Sequence, residues 1–402
     1  MADDGHADAQ AVICLCAAEV LTMVGVFAFP ALLPTFIAEW GLSNTQAGWI
    51  SGAIFAGYTL AVPLLTAWTD RIDAKNVYLL GALCAAVSTL GFALTAQGFY
   101  SALLWRFLGG IGLAGTYMPG LKALVDRIAA ERQPRWISFY TASFSLGTSG
   151  SFLATGVLAD LFGWRAAFFS AAGAAAASAV LIALVLPAVK PPEQKQKTNP
   201  FDFAAVFRNR AAMGYVLGYA AHVWELFGAR SWMVAFLGFA LLRHPGASGP
   251  TPTTVATIAT LIAMAASVFG ADMAVRFGRR RWCALAMLAS AALAFTIGFS
   301  AALPYLAAVG LMLLYNGLIQ LDSAALTTGA VLVADPERRG ATMAVHSLLG
   351  FGAGFCGPIA FGAILDAFGG AGSGFAWGLA FASLGAVAAL GPLALRMGVS
   401  RR

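Results

Sequence analysis

AVKPPEQKQKTNPFDFAAVFRNR, residues 188–210, is the long polar run in the interior of an otherwise apolar chain. Its basic residues are Lys190, Lys195, Lys197, Arg208 and Arg210. Pro191, Pro192 and Pro200 forbid a continuous helix through it, because each lacks an amide hydrogen and clashes with the turn before it. Apolar sequence of helix length lies on both sides. The stretch therefore reads as a cytoplasmic strap, with residues 1–187 as one half of the protein and 211–402 as the other. From Pro200 to Phe207 it reads either as a tether or as a short helix on the membrane surface, with Asn199 as cap and Phe201, Phe203 and Phe207 toward lipid.

Composition supplies the solvent. Charged residues are 10% of the chain and mean hydropathy is +0.79, whereas a soluble domain carries roughly 25% charge. Too little charge is present to cover a soluble surface, so most of the chain faces lipid. The net charge of +6 forms no basic patch interleaved with polar surface, which excludes nucleic acid as a partner. Cys14, Cys16, Cys84, Cys283 and Cys356 all sit inside apolar runs and read as small packing residues, with no metal or disulfide implied. The start, MADDGHADAQ, is acidic, unlike the basic start of a cleaved signal peptide.

A spanning helix needs about 20 mostly apolar residues. Twelve runs meet that need, near 11–37, 45–68, 75–96, 98–123, 137–159 and 165–187, then 211–240, 252–272, 282–300, 303–331, 341–363 and 373–395. Of the 24 Lys and Arg, with the N-terminus placed inside, only Arg165 and Arg243 fall in outer loops and only Arg106 and Arg230 within runs. All the others fall inside, as the positive-inside rule asks, and one span more or fewer would scramble that asymmetry. The expectation is an all-α protein with twelve transmembrane helices in two six-helix bundles and both termini cytoplasmic. Its place is the cytoplasmic (inner) membrane, multi-pass.

The halves repeat. GVLADLFG at 156–163 and GAILDAFG at 362–369 share G-x-x-x-D-x-F-G, 206 residues apart, and Glu131-Arg132 matches Glu337-Arg338 at the same offset. Two places agreeing on one offset argue for a duplicated six-helix unit, an architecture of transporters. The loop after the second run reads TAWTDRIDAKNVYL, 66–79, and its counterpart reads GADMAVRFGRRRW, 270–282. With twelve runs and a central strap, these loops make the chain resemble the major facilitator superfamily, which places G-x-L-A-D-R-x-G-R-R there. Asp70, Arg71 and Lys75 match the first copy, where Asp73 and Ala74 stand in place of the usual glycine and arginine. Arg276, Gly278, Arg279 and Arg280 match the second, where Val275 stands at the acid position and Asp272 lies one turn earlier. The resemblance implies a two-bundle fold and a gate role for Asp70, paired with basic residues and a helix N-terminus. RFLGGIGLAG, 106–115, is similar to a fourth-helix stretch of proton-coupled members, and its glycines read as close-packing positions. PALLPTFIAEWGLSNTQAGWI, 30–50, is similar to carriers of small anions such as cyanate or nitrate. The arginines that nitrate carriers place in their second and eighth helices are missing, and Gly357-Pro358 lies in the eleventh run, away from the fifth-helix position typical of drug antiporters.

Charges inside a bilayer are costly unless they face a cavity or a partner. The titratable or charged residues well inside runs are Glu19, Arg106, His222, Glu225, Arg230 and Asp322, on the first, fourth, seventh and tenth runs. In the resembled fold those four line a central cavity, and Asn316 on the tenth joins them. His222 and Glu225 are three apart and share a helix face, roughly 16–21 Å from the inner end of their run. They read as a pair able to hold or pass a proton. Arg106 keeps its charge and needs a counter-ion or an anionic substrate. His346, five residues into the eleventh run, reads as a rim residue. No G-x-x-x-x-G-K-[ST], HExxH or GxSxG pattern appears, so no nucleotide-driven or enzymatic chemistry and no cofactor is expected. The reading is a monomeric secondary transporter for a small organic anion or zwitterion, worked by alternating access and coupled to protons. The alternatives are proton-driven efflux of amphipathic compounds and a non-transporting sensor or scaffold.

Overall fold

The structure, a computed structural model, describes residues 2–129, 131–189 and 203–398. Among them all regular structure is helical. The order is α1 Ala2–Met23, α2 Ala28–Ala31, α3 Leu33–Trp40, α4 Asn44–Trp68, α5 Ala74–Thr95, α6 Phe99–Val125, α7 Gln133–Phe162 and α8 Trp164–Val185. After the strap come α9 Phe203–Arg208, α10 Arg210–Leu242, α11 Pro252–Phe277, α12 Arg279–Ile297, α13 Tyr305–Gln320, α14 Ser323–Val333, α15 Arg339–Ala367, α16 Gly374–Ala388 and α17 Gly391–Leu395. Nine helices among the described residues are long and apolar enough to cross a membrane, by length and composition. The helices of the first, fourth and fifth runs fall outside that set. The first of these is apolar but short, over Ala9–Met23, while Arg106 and the hydroxyl-rich face of α7 lower the apolar content of the other two.

The chain divides into two compact units. Unit 1 comprises Met1–Leu32 and Ala53–Gln196, and unit 2 comprises Leu33–Gly52 and Lys197–Arg402. In unit 1, α1, α5, α6, α7 and α8 bury a core rich in small residues, including Leu15, Ala18, Ala82, Ala123 and Ile182. The glycines of 106–115 are packing positions. A Cβ on Gly110 would lie under 3 Å from the backbone of Ile54, and one on Gly112 would do the same at Ala85. Removing side chains there lets whole helices approach. In unit 2, α10 runs 33 residues without proline, about 50 Å, and is buried along most of its length. Asn209 starts it by accepting from the Ala212 amide, 3.0 Å. Large apolar side chains such as Leu60, Leu64, Leu184, Val268 and Leu306 stay exposed, as lipid-facing residues do.

The duplicated octapeptide has a physical reason. Its last glycine, Gly163 in one copy and Gly369 in the other, takes a positive φ of 84° and 107°, a conformation that glycine adopts without strain. Of the strap, Asn199, Phe201 and the lysines lie outside the described residues. The surface helix is present only as α9. There Phe207 is exposed, but Phe203 packs with Val206, Met213 and Val345 in unit 2 instead of facing lipid.

Candidate functional site

Pro30 begins the chain of causes in unit 1. Having no amide hydrogen, it cannot donate to the Val26 carbonyl four residues earlier, and α1 stops at Met23 before α2 starts at Ala28. Two carbonyls of this interruption face α6, that of Val26 and that of Gly25, which also accepts from the Ala28 amide at 3.4 Å. Arg106 Nη2 donates to the Val26 carbonyl at 2.8 Å and Nη1 to the Gly25 carbonyl at 3.3 Å. Ser151 on α7 finishes the break, donating to the Val24 carbonyl at 2.6 Å and accepting from the Phe27 amide at 3.0 Å. Arg106 is 5% exposed, and its Nε has no hydrogen-bond partner among the described residues. No carboxylate among them lies within ion-pair distance of the guanidinium. Beside it is a cavity of about 30 Å³, lined by Thr22, Ser88, Thr89, Thr116, Trp105 and Phe168 among others.

Glu19 is fully buried. Its Oε2 accepts from the Tyr140 hydroxyl at 3.0 Å, and that hydroxyl also lies 3.0 Å from the Tyr117 carbonyl. Thr22, whose hydroxyl donates to the Glu19 carbonyl at 2.9 Å, lines the Arg106 cavity as well. Glu19 and Arg106 therefore share a polar neighbourhood.

In unit 2 the tenth span is also interrupted. α13 ends at Gln320, α14 begins at Ser323, and Asp322 stands at the N-cap position of α14. An aspartate there normally accepts from its own helix. This one makes no such bond and turns to α10, where its Oδ1 lies 2.8 Å from His222 Nδ1, at ion-pair distance but off line for a hydrogen bond. Both side chains are 2% exposed. Trp282 Nε1 takes the Leu321 carbonyl at 2.9 Å, and α11 approaches the break so closely that a Cβ on Gly270 would strike that carbonyl.

His222 and Glu225 thus face different neighbours instead of forming a pair. Glu225 accepts from Ser290 on α12 at 2.8 Å and from Tyr315 on α13 at 3.1 Å. Sixty degrees of helix rotation separates positions three apart, enough to aim them at different helices. Asn316 is buried and donates to the Met312 carbonyl at 3.0 Å. Arg230 is buried too. His346 is not a rim residue: it is buried, stacked on Tyr219 with ring centroids 3.9 Å apart, and its Nε2 lies 3.4 Å from Thr327 Oγ1.

The sequence profile of the Major Facilitator Superfamily matches residues 15–242. The chain belongs to that superfamily. Its matches are with transporters, not enzymes. It is 26% identical over 278 residues to the inner membrane transport protein YnfM of Escherichia coli (strain K12), covering 66% of this chain and 64% of that protein. It is 25% identical over 287 residues to multidrug resistance protein 2 of Bacillus subtilis (strain 168), covering 68% of this chain and 69% of that protein. A crystal structure of a D-xylose-proton symporter superposes with a TM-score of 0.76 at 17% identity, covering 96% of each chain, which shows the shared fold.

In this superfamily member the loop between α4 and α5 is wired through a residue that departs from the family pattern. Asp70 and Arg71 are exposed. Asp73 caps α5 by accepting from the Lys75 amide at 2.9 Å, accepts from the Val189 amide at 2.7 Å, and pairs with Arg127 at 3.0 Å. Burial opposes its charge, but those two amides and the Arg127 guanidinium prevail and hold its carboxyl below the usual range. The helix N-terminus and basic partner expected for Asp70 therefore belong to Asp73. Lys75 donates to the last carbonyls of its neighbour α8, Ala183 at 3.0 Å and Leu186 at 2.5 Å. In unit 2, Gly278 turns α11 into α12 with φ 86°, Arg280 lies 5.7 Å from the Tyr215 ring centroid, and Asp272 and Arg276 are exposed.

One signal for the buried set was present in the sequence. At the offset of 206, Glu19 corresponds to Glu225, Cys16 to His222, Thr116 to Asp322 and Tyr140 to His346. Extending the repeat from the loops into the helices would have exposed His346 and Tyr140.

Proposed function

We propose that this protein is a secondary active transporter of a small organic anion or zwitterion, coupled to protons and worked by alternating access. The observation that carries the substrate class is Arg106. A guanidinium cannot shed its proton, and a desolvated one costs several kcal/mol unless compensated. Two backbone carbonyls supply part of that compensation. A carboxylate of the substrate, entering the cavity among the hydroxyls of Thr22, Ser88, Thr89 and Thr116, supplies the rest.

A second reading is efflux of amphipathic compounds, favoured by the similarity to a multidrug resistance protein. Acid and amide pairs separate the two. Purified full-length protein is heated with acetate or acetamide, with benzoate or benzamide, and with tetraphenylphosphonium. Binding to the folded state raises the melting temperature, by about 2.7 kcal/mol of stability at a hundredfold excess over Kd. The expected result is that an acid stabilises where its amide does not, and that Arg106→Gln abolishes the difference. Equal shifts from acid and amide, or a shift from tetraphenylphosphonium alone, overturn the anion reading in favour of efflux.

A further inference from the structure

At the three repeat-related positions around the shared glutamates, unit 1 carries Cys16, Thr116 and Tyr140 beside Glu19, whereas unit 2 carries His222, Asp322 and His346 beside Glu225. The glutamates are common to both halves and both are hydrogen-bonded to tyrosine hydroxyls. What distinguishes the second half is two imidazoles and a carboxyl where the first half has a thiol and two hydroxyls. Conversely, Arg106 of the first half corresponds to Met312 of the second. We propose that the duplicated halves divide coupled transport between them: the second half holds the coupling proton at His222 and Asp322, with His346 as its inner step, while the first half holds the anion at Arg106.

The geometry supports the assignment in three ways. Asp322 is placed by a helix break, where it forgoes its own helix N-terminus to reach His222. His222 Nε2 and His346 Nδ1 have no hydrogen-bond partner among the described residues, so each ring keeps a nitrogen for proton exchange. The residues also form a descending series. Counting from Arg210 and Arg339 at the arginine-rich ends, His222 is about 18 Å deep and His346 about 10 Å. Tyr219 stands between them, with ring centroids 5.9 Å from His222 and 3.9 Å from His346. Among the described residues, Tyr219 and Glu225 on α10, Cys283 on α12 with Arg279 beyond it, and His346 on α15 are charged or titratable groups that face the pair. The step itself is simple. One proton binds the His222–Asp322 pair, on Nδ1 or on Oδ1, and leaves by way of His346, and no bond other than N–H or O–H changes.

The proposal rests on the proton-coupled reading, and its test uses no substrate, so it stands or falls apart from the acid and amide pairs. Full-length protein in lipid membranes is taken from neutral to acid, between about pH 5 and 8, where imidazole titrates, and its infrared difference spectrum is recorded. The wild type is expected to show a protonation change in carboxyl or imidazole bands. D322N and H222Q each remove it, H346Q moves its midpoint, and E19Q leaves it in place. Survival of the change in both D322N and H222Q overturns the proposal, and so does its loss in E19Q. Should D322N fail to fold, an unmoved midpoint in H346Q also overturns it.

Discussion

The first span of unit 1 and the tenth span of unit 2 are both broken, and the two breaks are finished with opposite charge. At 24–27 two carbonyls of the break receive a cation, Arg106. At 321–322 the break presents an acid, Asp322, to a histidine. A continuous helix consumes its own polar groups, so an interruption is how a helix offers polarity inside a membrane. The same device thus meets a cation from the neighbouring helix at one break and turns its own acid toward a neighbouring imidazole at the other.

Replacing the cation gives the largest expected effect. Arg106→Gln removes a buried charge opposite an anion and should weaken carboxylate binding by about 2–5 kcal/mol, read as the lost acid-specific melting shift. Pro30→Ala sharpens the cause. It returns an amide hydrogen to compete for the Val26 carbonyl and should cost the site about 1 kcal/mol with Arg106 still present. An unchanged acid response in Pro30→Ala would detach the proline from the site. At the other break, Asp322→Ala leaves a buried imidazole nitrogen without its acid. A loss of about 1–3 kcal/mol of stability is expected by thermal unfolding at neutral pH. Asp322→Asn should recover part of it.

The duplicated octapeptides are a second matched pair. Asp366 accepts from the Asn44 amide and side chain at 3.0 and 2.7 Å, and from the Thr45 amide and hydroxyl at 2.8 and 2.6 Å, capping α4 within unit 2. Asp160, at the same place in the first copy, is exposed. Asp366→Ala should therefore cost about 1 kcal/mol as a lost helix cap, while Asp160→Ala should stay within about 0.5 kcal/mol. Equal losses would mean that the motif is kept for its glycine turn alone.

Much of the fold was legible because lipid imposes a simple code. Apolar runs and the paired octapeptides are readable without contacts. The interior residues Glu19, Arg106, His222, Glu225 and Asp322 were legible for the same reason, since charge is rare there. Which of them meet was not. Side chains three apart on α10 were expected to cooperate, but the break at 321–322 brings Asp322 up to His222 while Ser290 and Tyr315 take Glu225. That break has no proline in it and is held by Trp282 and the approach of Gly270, contacts distant in sequence.

The loops before α5 and α12 give the smallest effect and a pH signature. Asp73 corresponds by the repeat to Arg279, so only the first loop has an acid on its helix N-terminus. The Asp73 carboxyl is held below the usual range in the folded protein. A depressed folded pKa contributes stability that is fully present above the unfolded value and is lost as pH falls through the folded one. Stability of the wild type should therefore be flat near neutrality and fall below about pH 4, where an unperturbed aspartate gains its proton. Asp73→Asn cannot titrate. It should lose about 1 kcal/mol at neutral pH, and the gap between it and the wild type should close as acid is added. A gap that stays constant down the pH series would show that the Val189 and Lys75 amides and Arg127 do not depend on the charge of Asp73, and that the departure from the family glycine at this position is only a turn.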